Sequence, residues 1–170
     1  ARGLGIELDA AQCTKLLQHL DLLDDWNTRM NLTAIRERPA QITKHILDSL
    51  TLVPWLRGRR VADIGSGAGF PGIPLAIVVP GLHFVLVESI GKKCRFLEHV
   101  RDTLALTNVE VAQARADGRA GRGVRPAHAQ LAAAVAGART GGGAPVVDLT
   151  RPRPRPAAPT TSRRTTVCAP

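Results

Sequence analysis

The residues best suited to chemistry lie in one run, Val61-Ala62-Asp63-Ile64-Gly65-Ser66-Gly67-Ala68-Gly69-Phe70-Pro71-Gly72. A short apolar segment ends in a carboxylate, and every second position then loses its side chain. Such a pattern hands a buried strand over to a glycine loop beneath a nucleotide-like ligand, because glycine adopts unusual backbone angles and lets a ligand approach the main chain. Two registers compete. Gly67-Ala68-Gly69-Phe70-Pro71-Gly72 is a literal G-x-G-x-x-G, the dinucleotide fingerprint. Asp63-x-Gly65-x-Gly67-x-Gly69 instead suits S-adenosylmethionine, which has no pyrophosphate and carries a cationic sulfonium and amino group that favour a nearby carboxylate. Pro71 and Pro74 donate no N–H, which spoils a helix start meant to grip phosphates. The methyl-donor register is favoured; a glycine turn without a ligand is the least favoured reading.

The flanking elements fit a βαβ unit. Leu82-His83-Phe84-Val85-Leu86-Val87-Glu88 reads as a second buried strand. Glu88 follows Gly69 by 19 residues, near the spacing that sets an acid on ribose hydroxyls; a surface acid capping the next helix is the alternative. The periodicity predicts a helix from Gly91 to Leu106, with Phe96, Leu97, Val100 and Leu104 as its apolar stripe. Asn108 to Ala112 reads as a third strand. Lys92, Lys93 and Arg95 open that helix, where cations oppose the helix dipole. They read equally well as a phosphate-binding cluster for RNA and as a solvated face.

The first third is helical. Asp9 and Gln12 have the spacing of a capping box, and Leu16, Leu20, Leu23, Trp26 and Met30 recur at helical spacing. Ile42, Ile46, Leu50 and Val53 mark a second amphipathic helix, with Pro39 in its first turn. Both stripes are expected to face a core, leaning on the first strand as a cap. Polar groups at Trp26-Asn27, Asn31-Leu32-Thr33 and His45-Ile46-Leu47-Asp48-Ser49 either cap helices or line a cofactor mouth, and the residue types alone do not choose.

Asn31-Leu32-Thr33, His45-Ile46-Leu47-Asp48-Ser49, Asp63 through Pro74 and Gly91-Lys92-Lys93 occur in an order and spacing that resemble the ribosomal RNA small subunit methyltransferase G family, also called glucose-inhibited division protein B. The resemblance covers residues 4 to 116. It implies an α/β fold, a Rossmann-like class I S-adenosylmethionine-dependent methyltransferase with an N-terminal helical cap. It also implies methyl transfer to N7 of a guanine in 16S rRNA, on free rRNA or the small ribosomal subunit, by a cytoplasmic enzyme. By that similarity Gly65 and Phe70 line the cofactor site beside Asp63, Gly67, Gly69 and Ser89, Glu88 takes the ribose, and Ala116-Asp117 stands near the adenine. Asp117 stands where glutamate is more usual. The further cofactor arginine of the family has no counterpart here.

Such chemistry asks little of side chains. Guanine N7 has a lone pair and no proton, so no general base is needed, and in-line positioning supplies the rate, up to about 7–11 kcal/mol in well-oriented systems. No catalytic residue is assigned; His45 and Asp48 are the positioning candidates. Methylation at cytosine C5 would need a cysteine nucleophile, and Cys13, Cys94 and Cys168 lack the matching context.

The chain divides by composition into residues 1–57, a helical cap, 58–116, the cofactor-binding half, and 117–170, a tail. In the tail, 41 of 54 residues are Ala, Arg, Gly, Pro or Thr, and nine Arg face two Asp. Most of the formal net charge of +9 therefore belongs to the tail. With few apolar residues beyond alanine it buries too little to offset ordering entropy, so disorder is expected, with at most a short helix over Leu131 to Ala138. It reads as an arginine-rich RNA-binding extension, as an inert linker or, the favoured reading, as a frameshifted translation of a GC-rich gene. The C-terminal half of the sheet is then missing or replaced, with Val146-Val147-Asp148-Leu149 the candidate strand beyond the first, and weak cofactor binding is expected.

One domain fits 170 residues. No 18-residue apolar run predicts a membrane span, no signal peptide is read at the N-terminus, and a start at Ala1 suggests an incomplete or processed end. Three cysteines without C-x-x-C argue for a reducing compartment and against a disulfide frame or zinc. His19, His45, His83, His99 and His128 form no i, i+4 pair, so no metal is expected. A monomer is expected. Two other function classes stay open: a small-molecule methyltransferase, and a non-catalytic RNA-binding protein using the arginine tail.

Overall fold

A computed structural model describes residues 2–114 and the backbone of residues 146–148. Ala116, Asp117, the Leu131–Ala138 segment and the rest of the tail lie outside the described residues.

After a 3₁₀ turn at Arg2–Leu4, helix α1 spans Ala10–Asn27. Its start has the expected capping box: Gln12 N–H donates to Asp9 Oδ1 at 2.7 Å, and Asp9 N–H donates to Gln12 Oε1 at 3.1 Å. The second helical segment comprises α2 (Arg38–Gln41), a π-helical stretch (Ile42–Leu47) and α3 (Asp48–Leu50). The widened stretch has no signature in the apolar spacing. Such turns recur at functional sites, and this one carries His45. The segment is tied to α1 by Gln41, fully buried, whose Nε2 donates to Asp24 Oδ1 at 2.6 Å and to the Ile35 carbonyl at 3.2 Å.

A 3₁₀ turn at Val53–Trp55 leads into β1 (Arg60–Ile64). Then follow α4 (Gly72–Val78), β2 (His83–Glu88), α5 (Gly91–Thr103), β3 (Val109–Gln113) and β4 (Val146–Asp148). The helix after β2 ends three residues earlier than its periodicity predicts, at a left-handed Ala105 (φ 50°). Asn108 secures the return, its side chain donating to the Ala76 and Leu82 carbonyls, each at 3.0 Å.

The sheet order is β3-β2-β1-β4. β1 pairs parallel with β2, and β2 parallel with β3, as two βα units require. β4 lies on the other flank of β1, where Val146–Leu149 is expected, but runs antiparallel. The strand order therefore reverses at β1, with β2 and β3 on one side and β4 on the other, the position at which α/β sheets open a ligand crevice beyond the strand ends.

One core joins the N-terminal helices to the sheet. Leu16, Leu20 and Leu23 of α1, with Ile46 and Leu50, pack with Ile73, Leu75, Phe84, Leu86, Phe96 and Leu97. α1 rests on α4 and α5, and α3 rests on α4. The opposite sheet face carries a second buried cluster of Ala62, Ile64, Val85, Val87, Ala112 and Ala114. The alternation of these two sets along β1 and β2 is the period-two pattern of strands buried on both faces.

Candidate functional site

The glycine loop leaves β1 at its carboxyl end. Gly65 N–H donates to the Val87 carbonyl at 2.7 Å, which holds the loop against the end of β2, and Gly69 N–H donates to the Ser66 carbonyl at 2.7 Å. Gly65, Gly67 and Gly69 have φ of 78°, 56° and 87°, a region that L side chains rarely enter.

The four glycines divide into two pairs. Around Gly65 an added Cβ would meet nothing within 4 Å, and at Gly67 only the Gly65 carbonyl oxygen at 3.7 Å. At Gly69 it would strike Ile73 Cγ1 at 2.7 Å, and at Gly72 it would collide with the Leu86 methyl and lie 2.7 Å from Asp63 Oδ2. The first pair faces open space; the second lets the loop pack onto α4 and the sheet.

Asp63 is buried, and its Oδ2 accepts the Gly72 N–H at 3.0 Å. Burial raises its pKa to about 6, against the opposing pull of the Gly72 N–H and Ser66 hydroxyl. Its carboxyl thus braces the loop from within. At the start of α4 the Gly72 amide is taken by Asp63 and the Ile73 amide by the Gly69 carbonyl at 2.8 Å, and Pro74 has none. No amide there is left for a phosphate, in keeping with the register that begins at Asp63.

Glu88 ends β2 beside the open pair. Its Oε2 accepts the Gly67 N–H at 3.1 Å. Its Oε1 accepts the Ser89 N–H at 2.7 Å, the Ser89 hydroxyl at 3.2 Å and the Ile90 N–H at 2.9 Å. One carboxylate therefore spans the glycine loop and the β2–α5 turn. Cys94 lies beneath it, its thiol donating to the Glu88 carbonyl at 3.4 Å, with burial pushing the thiol pKa up to about 11. A thiol so placed is inert.

On the far side of the loop three rings stack. Phe70 lies between His45 (centroids 4.4 Å apart, planes at 11°) and His19 (4.6 Å, 25°). His45 reaches Thr33 Oγ1 through Nε2 at 3.0 Å, and that same oxygen accepts the Ile35 N–H. Asn27 folds this loop, its Oδ1 accepting the Leu32 and Thr33 amides and its Nδ2 donating to the Thr33 carbonyl. Partial burial lowers the His45 pKa, with Asp48 pulling the other way. Asp48 itself is exposed.

The sequence groups His19 only among histidines that form no i, i+4 pair, yet it bonds α1 to the glycine loop. It is fully buried, its Nε2 lies 3.0 Å from the Ala68 carbonyl oxygen, and its Nδ1 has no partner among the described residues. The ring is therefore neutral with the proton on Nε2, and burial holds its pKa down to about 4. A polar residue set between Leu16, Leu20 and Leu23 in an apolar stripe was the signal for it. Lys92 and Arg95 are exposed and Lys93 half-buried at the start of α5; none forms an ion pair among the described residues.

Residues 12–136 match the family model of rRNA small subunit methyltransferase G (GidB). The chain belongs to this family. The chain is 51% identical over 114 residues to the ribosomal RNA small subunit methyltransferase G of Nitrosococcus oceani, covering 67% of this chain and 53% of that protein. The Yersinia enterocolitica protein of the same name is 48% identical over 113 residues (66% and 55%), and that of Serratia proteamaculans 47% over 116 (68% and 56%). The chain thus spans about half the length of these curated relatives. Membership in a methyltransferase family, with the parallel β1–β2–β3 arrangement, is in keeping with part of a Rossmann-like methyltransferase fold. Among the described residues no helix is long and apolar enough to cross a membrane, and no cluster of His, Cys, Asp and Glu could hold a metal.

Proposed function

We propose that this chain carries the methyl-donor site of a 16S rRNA guanine-N7 methyltransferase, with S-adenosylmethionine as donor and rRNA or the small ribosomal subunit as acceptor. The observation that carries the reading is the open space beside Gly65 and Gly67, bounded by the Glu88 carboxylate, in a chain of the GidB family. When bound, the donor supplies an electrophilic methyl on a sulfonium whose departure leaves a neutral thioether.

The residues then have these roles. Gly65 and Gly67 admit the donor against the main chain, while Gly69 and Asp63 hold the loop's shape. Glu88 would meet the ribose hydroxyls through Oε2, which among the described residues accepts only the Gly67 N–H, while Ser89 and the Ile90 N–H keep Oε1 in place. Ala116 and Asp117 are assigned to the adenine on family resemblance alone. Phe70, clamped by His19 and His45, forms a wall of the crevice, with Asp48 exposed nearby. Lys92, Lys93 and Arg95 offer positive charge to RNA phosphates. Guanine N7 carries a lone pair and no proton, so with the donor bound no side chain of this chain would need to act as a base. Catalysis is therefore positional. The protein acts in the cytoplasm, as a monomer, and needs no metal.

Tritiated methyl transfer from S-adenosylmethionine to small ribosomal subunits tests this. A chain completed beyond residue 136 with the corresponding segment of the Nitrosococcus oceani relative is expected to form N7-methylguanine, and the chain as it stands little. Label that appears on a base other than guanine, or only on small molecules, would overturn the reading.

A further inference from the structure

At the amino end of β1, away from the glycine loop, the 3₁₀ turn presents Trp55 with 75% of its surface exposed, more than any other large apolar residue described. Its neighbours Leu52, Val53 and Leu56 are partly buried against the core, so the exposed large apolar side chain of this turn is the single indole. Arginines follow it closely in the chain. Arg57 donates through Nη1 to the Pro54 carbonyl at 2.7 Å and the Leu56 carbonyl at 2.8 Å, which fixes a guanidinium against the turn that carries the indole. Arg59 is exposed and forms no ion pair among the described residues, while Arg60 meets Glu110 at 3.5 Å. Between Ser49 and Ala62 the sequence holds three arginines and no acid.

A lone exposed ring on a turn that also carries Arg57, with Arg59 following, neither in an ion pair among the described residues, is poorly suited to a dimer interface, which needs a contiguous apolar patch. It is well suited to an unpaired base, which stacks on the indole while its phosphates meet the arginines. Resting on the reading of RNA as the acceptor, we propose that Trp55, Arg57 and Arg59 form a second RNA contact that grips a single-stranded segment at the opposite end of β1 from the methyl-donor site. Four steps along β1 separate the two ends, about 13 Å, a span of a few nucleotides. The contact adds grip without touching the reacting atoms.

Titration of the full chain with a single-stranded 12-mer oligoribonucleotide tests the contact, read by anisotropy and by indole quenching in a Trp26→Phe background. Both side chains tolerate change, since Trp55 is largely exposed and the exposed Arg59 side chain makes no hydrogen bond or ion pair among the described residues, its backbone carbonyl alone accepting the His83 N–H. In the Trp26→Phe protein the remaining indole, Trp55, is expected to be quenched on binding, and Trp55→Ala in the chain that keeps Trp26 is expected to weaken binding, read by anisotropy, at least fivefold, the effect of one lost stacked base. Arg59→Ala is expected to lower the salt slope by about 0.7. Methyl-donor binding, measured in the same variants, is expected to stay unchanged; its absence from the parent chain as well would count against the donor site and not against this contact. Unchanged affinity and salt slope in Trp55→Ala/Arg59→Ala would overturn the proposal, as would concentration-dependent self-association that Trp55→Ala removes while RNA binding persists.

Discussion

The imidazole Nε2 of His19 lies 3.0 Å from the carbonyl oxygen of Ala68, so the first helix of the chain is bonded to the middle of the glycine loop. The same ring supports Phe70 from below while His45 covers it from above. Loop shape thus depends on a residue 49 positions upstream. Replacing His19 with Leu leaves a buried carbonyl without its donor, at a cost of about 1–3 kcal/mol. His19→Gln, which keeps an N–H, is expected to lose less. Urea unfolding of both variants measures this, and equal losses would show that the hydrogen bond contributes nothing beyond packing.

Gly65 and Gly72 separate ligand space from packing. Gly65→Ala meets no neighbour and bears only the left-handed backbone strain, about 1–2 kcal/mol. It is expected to fold while impairing donor binding. Gly72→Ala drives a methyl into Leu86 and Asp63 and is expected to cost about 1–3 kcal/mol of stability by overpacking. Urea unfolding with donor titration distinguishes them; a Gly72→Ala protein as stable as the parent would contradict the packing described.

Asp63 and His19 impose opposite pH dependences. The Asp63 pKa is raised from 3.8 to about 6, so the native state holds a proton that the unfolded chain releases between those values, and stability falls as pH rises through that window. His19 is lowered from 6.5 to about 4; the unfolded chain binds the extra proton, and stability rises with pH between about 4 and 6.5. His45, also lowered, acts in the same sense as His19. Each fully shifted group gives a slope of at most about 1.4 kcal/mol per pH unit, so they largely cancel. Compared with the parent between pH 4 and 6, Asp63→Asn is expected to gain stability more steeply with pH, and His19→Phe to lose it. Parallel curves for all three proteins would show that neither group titrates differently on folding.

The Cys94 thiol, buried beneath Glu88 with its pKa near 11, is expected to resist alkylation at neutral pH while exposed Cys13 reacts. Peptide mass mapping after brief iodoacetamide treatment reads this directly. Modification of Cys94 at the rate of Cys13 would mean that the β2–α5 turn opens readily.

Much of this site was legible in the sequence because its parts are local. Asp63, the alternating glycines and Glu88 sit at strand ends that apolar runs mark out, and the Asp9–Gln12 box is a four-residue pattern. What the sequence withheld depends on packing between distant segments. Nothing local says that Gly69 and Gly72 serve the core while Gly65 and Gly67 face open space, since all four look alike in the chain. The π-helical stretch at Ile42–Leu47 hides within an ordinary helical period, and with it the ring contact between His45 and Phe70. The antiparallel sense of β4 is likewise a matter of chain path, to which a run of three residues is indifferent.

Amide chemical-shift mapping with S-adenosylmethionine, and separately with NAD, tests the central assignment most directly, because it detects weak binding and reports its place. The expected result is a saturable perturbation of Gly65, Gly67, Glu88 and Ser89 by the methyl donor, absent in Gly65→Ala and absent with NAD. Perturbation of those amides by NAD instead, or no response to millimolar methyl donor, would contradict the assignment.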